Sequence, residues 1–471
     1  MNLSFLRKKI LALTFLQRFF LCLIVGLIVL SVPFSIRLFD KDPFFIGSNS
    51  GYHLRLISEQ ETGFTFHDPL FERPFLFTPY HVIFSLFNIF FSLPLSFMII
   101  HITIFTATFY LLLSILRFFS VSPVHQLLFT LLFILSPATL FLYTTVSPVV
   151  LSLFLLVFLT WALLQEHPLW ISIVCAILLP FFGFSSALIG FFCLLALGKK
   201  RQKISLIILI LISASFFITL LVKFGASAYF HLTSFESFFA DLSVNYSYSI
   251  FALLLALIGV SVTWRMKKTH KVYYTFLLLG LFLPFFLQGL IPYQNIFVCL
   301  AASYGFVYLY KRKWHLENIR FLSLLLIICG LLFTGIATHS HLVKEQPDAS
   351  LIRASFWIQE KAIQPSVIFT DPSLGSWVAY VSKHEIFLDD QQLFFSDYNN
   401  RLQVAHRIMT STSFSELPPL LDYYHITYIL LTQEQQQDIT YNHFFFILDH
   451  TENFKKVYEN SLFTLWEYHG V

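Results

Sequence analysis

Hydrophobic positions fall in long unbroken blocks over most of the chain and in short runs only near its end. An apolar helix needs about 20 residues to cross a bilayer. On that measure the blocks predict about eleven spans, near 18–36, 94–118, 124–143, 147–165, 168–183, 185–198, 204–223, 247–264, 272–289, 292–310 and 320–338. The run 79–93 is predicted to lie in the interface, and Pro94 breaks it from the span that follows. Arg7, Lys8 and Lys9 precede the first block, and no small-residue cleavage site follows it, so it reads as a signal anchor. The pattern changes after Ser340. Residues 349–362 predict a helix, 366–370, 385–388 and 426–432 predict strands, and 454–458 with 462–466 predict a closing hairpin. The expected organisation is a polytopic α-helical membrane domain, 1–343, with an external loop 37–93, followed by a soluble α/β domain, 344–471.

Composition agrees. Charged residues make up 12% against about 25% in soluble domains, so a soluble protein is excluded. The five cysteines sit in apolar runs without ligand or disulfide spacing, and no phosphate-loop, zinc or dinucleotide fingerprint is present. Basic clusters at 7–9, 199–203, 265–271 and 311–320 all fall on one side with eleven spans. The positive-inside rule then places the N-terminus in the cytoplasm, and the loops 37–93 and 223–247 and the C-terminal domain outside the cell membrane. From Glu345 onward there are seven basic and sixteen acidic residues, which argues against nucleic acid or anionic lipid as a partner of that domain.

The first 344 residues hold only ten acidic residues, and six of them, Asp40, Asp42, Glu59, Glu61, Asp68 and Glu72, crowd into one loop with His53, Arg55, His67, Arg73 and His81. Carboxylate oxygens are what hard cations take, so Asp40, Asp42 and Asp68 are candidate ligands for Mn²⁺ or Mg²⁺ facing a lipid-linked phosphate. One of them could equally act as general base toward an acceptor. The bland alternative is a solvated loop in which Asp42-Pro43 and Asp68-Pro69 start turns. A helix is predicted to open at Asn49 or Ser50, with Tyr52, Arg55 and Glu59 on one face.

Tyr52-His53-Leu54-Arg55, Asp68-Pro69 and Thr78-Pro79, in that order, resemble the first external loop of GT-C glycosyltransferases, in particular the catalytic subunit of archaeal oligosaccharyltransferases. Asn49 stands where that family carries an Asp. His231-Leu-Thr233-Ser-Phe-Glu236 resembles the family's short Thr-x-x-Glu element in a mobile loop. Asp371-Pro-Ser-Leu-Gly375-Ser-Trp377 resembles the turn that opens its soluble domain, although the Trp-Trp-Asp-Tyr-Gly signature is absent. Asn295 replaces an Arg directed at the lipid pyrophosphate, and Tyr143–Pro148 lacks the second acidic motif. Arg55, Arg73 and Lys223 remain as candidate phosphate binders.

By that resemblance the chain transfers a sugar or oligosaccharide from a polyprenyl-phosphate donor to an external acceptor. The implied catalytic positions are Asp40, Asp42, Asp68 and Asn49. The implied substrate-binding positions are Tyr52, His53, Arg55, Glu72, Arg73, Glu236, Asp371 and Trp377. Membrane lipids and a polyprenyl-linked donor are the implied partners, with a partner subunit left open. Two alternatives stay open. One is a catalytically silent relative acting in envelope assembly, which the departures favour. The other is a transporter, which the lack of an inverted repeat and of ionisable residues inside spans disfavours.

Overall fold

The computed structural model describes residues 14–59, 78–199, 202–224, 247–266, 288–363, 365–390 and 397–470. They divide into two compact units. The first comprises the described parts of 1–35, 78–80 and 90–343; the second takes 36–77, 81–89 and 344–471. The second unit therefore draws on the first loop as well as on the C-terminal segment.

In chain order the helices before the C-terminal segment are α1 (Phe15–Asp40), α2 (Ser48–Glu59), α3 (Pro79–Asn88), α4 (Leu93–Phe118), α5 (Pro123–Leu135), α6 (Pro137–Thr144), α7 (Val149–Leu164), α8 (Leu169–Leu178), α9 (Phe184–Leu197), α10 (Lys203–Phe224), α11 (Ile250–Met266), α12 (Ile291–Lys311) and α13 (Glu317–Lys344). The expected count of eleven spans is not reproduced. Among the described residues three helical stretches are long and apolar enough to cross a membrane: Phe15–Asp40, Leu93–Phe118 and Glu317–Lys361. A fourth is gained if α5 and α6, bent by 58°, form one broken span. The reason is length: the apolar stretches Val149–Leu164, Leu169–Phe182, Phe184–Leu197 and Ile250–Trp264 lie at predicted spans but are shorter than 18 residues, and Pro137 separates α5 from α6. The predicted span 272–289 falls largely outside the described residues.

The bend at Ser136 is held by polar groups. Ser136 caps α6, its Oγ accepting from Thr139 N at 3.2 Å. Asn295 of α12 donates to both Ser136 Oγ (2.6 Å) and Thr139 Oγ1 (2.9 Å). Asn295 is thus a buried tie across a broken helix. Nearby, α11 and α12 cross at backbone contact. A Cβ on Gly259 would lie 1.8 Å from Ala301 O, and one on Gly305 would lie 2.0 Å from Leu255 O. Only glycine permits that approach. Phe19, Phe109, Leu112, Phe129 and Phe133 fill the core between α1, α4 and α5.

The C-terminal segment adds α14 (Ala349–Lys361), β1 (Val367–Phe369), α15 (Pro372–Ser382), β2 (Glu385–Ile386), α16 (Tyr398–Met409), α17 (Leu417–Tyr423), β3 (Ile426–Thr432), α18 (Gln433–Gln437), α19 (Asn442–His450), β4 (Phe454–Glu459) and β5 (Phe463–Tyr468). The strands form one mixed sheet in the order β2-β1-β3-β5-β4. β1 runs parallel to β2 and β3, and β5 is antiparallel to both β3 and β4. β3 is central and buried, as its unbroken apolar run requires. Phe369, Phe387, Ile429, Leu431, Phe444 and Trp466 form the core beneath it.

Candidate functional site

The loop after the first span is anchored by its first basic residue. Arg37, 1% exposed, donates from Nε to Pro43 O (2.9 Å), from Nη1 to Glu345 O (2.5 Å) and from Nη2 to Pro347 O. Gly47 N donates to Gln346 O at 2.9 Å. The short linker 345–348 has no secondary structure of its own, and these bonds satisfy its carbonyls. Asp42 adds a second tie, its Oδ1 accepting from Ala349 N at 3.1 Å. Asp348 caps the same helix, accepting from Leu351 N at 2.7 Å. Two carboxylates therefore sit on the exposed N–H groups of α14, where the helix dipole favours negative charge.

α2 begins at Ser48, earlier than the sequence suggests. Gly47, at φ +94°, is the turn residue before it, and its carbonyl accepts from Ser50 N at 3.1 Å. Ser50 is not a cap; its hydroxyl donates back to Ile46 O inside the unit. α2 packs against α15 at very short range. Trp377 Nε1 donates to Gly47 O at 2.9 Å, and a Cβ on Gly51 would lie 2.9 Å from the backbone of Ser376 and Trp377. Trp377 is 2% exposed. The resemblance implies a substrate-binding place for Trp377, with burial in the core as the alternative; here the indole is buried, its N–H is bonded, and it docks α2. Gly51→Ala should destabilise this unit by about 1–3 kcal/mol through overpacking. Trp377→Phe should cost about 1 kcal/mol through the lost hydrogen bond. Thermal unfolding of the purified protein in detergent reads both, and unchanged midpoints would mean that α2 does not dock on α15.

Two further side chains of α2 have polar partners. His53 Nδ1 and His81 Nε2 of α3 are 3.0 Å apart, with ring centroids at 5.2 Å. At that separation one ring can donate its N–H to the bare nitrogen of the other. Burial holds both imidazoles neutral, below the ordinary histidine range. Arg55 is buried and ion-paired with Glu59 at 3.3 Å, one helical turn on. Tyr52 is buried as well.

The depressed histidine pKa values have a consequence for stability. The unfolded chain takes up protons below its pKa near 6.5, while the folded pair resists them. Stability is therefore complete above that pH and falls as the pH drops through the window beneath it. The unfolding midpoint should drop between about pH 7 and about pH 5, and His81→Gln should flatten that dependence. Superimposable pH curves for the two proteins would assign the effect elsewhere.

The proposed metal ligands do not converge in the described part of the loop. Asp40 is exposed at the end of α1, and Asp42 is engaged as a helix cap. Among the described residues no three His, Cys, Asp or Glu side chains group as a metal site. Asp68, Glu72, Arg73 and Glu236 lie outside the described residues, as does the side chain of Lys223. Asn49 is exposed in the first turn of α2. Asp371 caps α15, its Oδ1 accepting from Ser373 N at 2.9 Å and its Oδ2 from Gln435 Nε2 at 3.2 Å. Sequence reasoning passed over Arg37, Gly47, Gly51 and His81 as structural partners. The paired glycines four residues apart were the one legible signal of a close backbone approach.

No family model and no curated protein matches this sequence. Solved structures do. The oligosaccharyltransferase of Archaeoglobus fulgidus, in complex with Zn and sulfate, superposes with a TM-score of 0.61 at 12% identity, over 88% of this chain and 68% of that one. ArnT from Cupriavidus metallidurans, bound to undecaprenyl phosphate, gives 0.56 at 12% identity, over 95% and 97% of the two chains. The arabinofuranosyltransferase AftD from Mycobacteria gives 0.58 at 12% identity, over 96% of this chain but 40% of that one. At these identities the likeness is one of fold.

Proposed function

We propose, from the GT-C fold that this chain shares with those three membrane proteins, that it transfers a sugar or oligosaccharide from a polyprenyl-phosphate-linked donor to an acceptor outside the cell membrane. The observation that carries the reading is local. The helix bearing Tyr52, His53 and Arg55 is bonded into the C-terminal α/β unit through Trp377 and Gly47. Family-like segments of loop and domain, more than 300 residues apart in sequence, are thereby built into one body. The donor class is supported by the undecaprenyl phosphate bound to ArnT and by a dolichol-phosphate in a second structure of the archaeal enzyme. The orientation is an inside N-terminus and an external C-terminal domain, and it rests on the four basic clusters. The full count of eleven spans belongs to the same reading.

A divalent cation is part of the family expectation, and Zn accompanies the archaeal structure. In this chain the described donors do not assemble such a site, because Asp42 is engaged on α14 and Asp40 stands apart. Those same facts, with Asn49 in place of an Asp, favour a second reading: a relative that binds the lipid-linked sugar without transferring it.

Extraction and mass measurement of lipid co-purified with the protein should find a polyprenyl phosphate or its glycosylated form; finding only bulk phospholipid would overturn both readings. Turnover of a glycosylated undecaprenyl phosphate then separates transfer from binding alone. Single cysteines at Ser350 and Thr269, in a background without native cysteines, should differ in labelling by an impermeant thiol reagent on intact cells. Equal labelling would remove the orientation.

A further inference from the structure

Within the membrane unit, α5, α11, α12 and α13 enclose a cavity of about 240 Å³. Its walls are apolar, with Leu128, Leu131, Leu135, Phe306, Ile328 and Leu332 among them. Asn295 and Phe306 both line it, and at 1.5 Å per residue they lie roughly 16 Å apart along α12. The cavity is therefore a slot rather than a sphere.

One end of the slot is polar, but its donors are already spent. Asn295 Nδ2 donates to Ser136 and Thr139, and Tyr248 OH donates to Ile291 O at 3.1 Å. Ser249 and Thr334 are 3.0 Å apart, and Thr334 Oγ1 donates on to Gly330 O at 2.9 Å. A phosphate or sugar arriving here would meet no spare donor and no cation. The side of the slot is open. Ile328 and Leu332 line it, yet they are 41% and 48% exposed on α13, which belongs to one of the three stretches suited to crossing the bilayer. In a bilayer crossed by that stretch, this face would meet hydrocarbon. An apolar cavity excludes water, and about 150 Å³ already admits a benzene-sized guest.

We propose that this slot takes the terminal part of one acyl chain of a surrounding bilayer phospholipid, entering laterally beside Ile328 and Leu332. The chain fills space between α5 and α13 that the side chains leave empty. It is a structural lipid, separate from any donor, and competition by a polyprenyl phosphate is the outcome that would contradict this.

The test uses the full chain in phosphatidylcholine nanodiscs containing a phosphatidylcholine with a diazirine near its acyl terminus. After irradiation, crosslinks are mapped by mass spectrometry. Label is expected on the segment 128–135 as well as on the outward-facing Phe321 and Phe333. Ala252→Phe, which fills the slot, should lower the 128–135 label at least fivefold and leave the other two unchanged. Leu131→Phe serves if the first variant does not fold. Label on Phe321 and Phe333 without label on 128–135 would overturn the proposal, as would label that filling does not reduce. Loss of the 128–135 label on adding undecaprenyl phosphate would also overturn it, by assigning the slot to an isoprenyl chain.

Discussion

Gly259→Ala and Gly305→Ala should each prevent the membrane unit from holding its native packing. In each case the new methyl would meet a main-chain carbonyl oxygen at 2.0 Å or less, and a carbonyl cannot rotate away as a side-chain tip can. The two helices would have to separate along their whole contact. Overpacking typically costs about 1–3 kcal/mol, and a backbone obstacle belongs at or above the top of that range. The expected result is aggregation on gel filtration in detergent, or a thermal midpoint well below that of the parent. The double variant should cost less than the sum of the single ones, since one separation relieves both clashes. Full additivity would mean that the two glycines do not share one crossing.

Arg37→Ala should have an effect of similar size in the other unit. The guanidinium serves three carbonyls from two chain segments that are more than 300 residues apart in sequence. Removing it leaves those oxygens buried without a donor, at about 1–3 kcal/mol for each group. Arg37→Lys should rescue little, because an ammonium on a flexible stem does not reproduce the planar fork. Limited proteolysis should then cut within 41–47 or 345–348, sites protected in the parent. Equal protection in Arg37→Ala would show that the loop is held by Asp42 and Gly47 alone.

Much of this architecture could be read from the sequence. The strands β1, β3, β4 and β5 lie where short apolar runs bounded by turn residues predict them, because that pattern reports directly on burial. Helices α16, α17 and α19 were not predicted. Their apolar positions, such as Phe444, Phe445, Ile447 and Leu448 in α19, form clusters too short to separate helix from strand. The count of eleven spans was not reproduced among the described residues, since several apolar blocks form helices shorter than a bilayer crossing and the predicted span 272–289 lies largely outside those residues. Pairings across the chain were out of reach. His53 and His81 both stood out as polar residues in an apolar protein, but nothing local joins them. Asp42 drew attention as a carboxylate, and its partner is a backbone N–H more than 300 residues away.

The second unit is assembled from pieces made at very different times. Residues 48–59 leave the ribosome roughly 285 residues before Lys344 does. At about 5–20 residues per second that interval is on the order of 15–60 s. Throughout it, Gly47 and Gly51, which end against Trp377 and Ser376, have no α15 to dock on. The nascent loop can therefore dock α2 only after the helices that follow it have been made. Its maturation is timed by translation, and the last quarter of the chain is what releases the first loop from waiting.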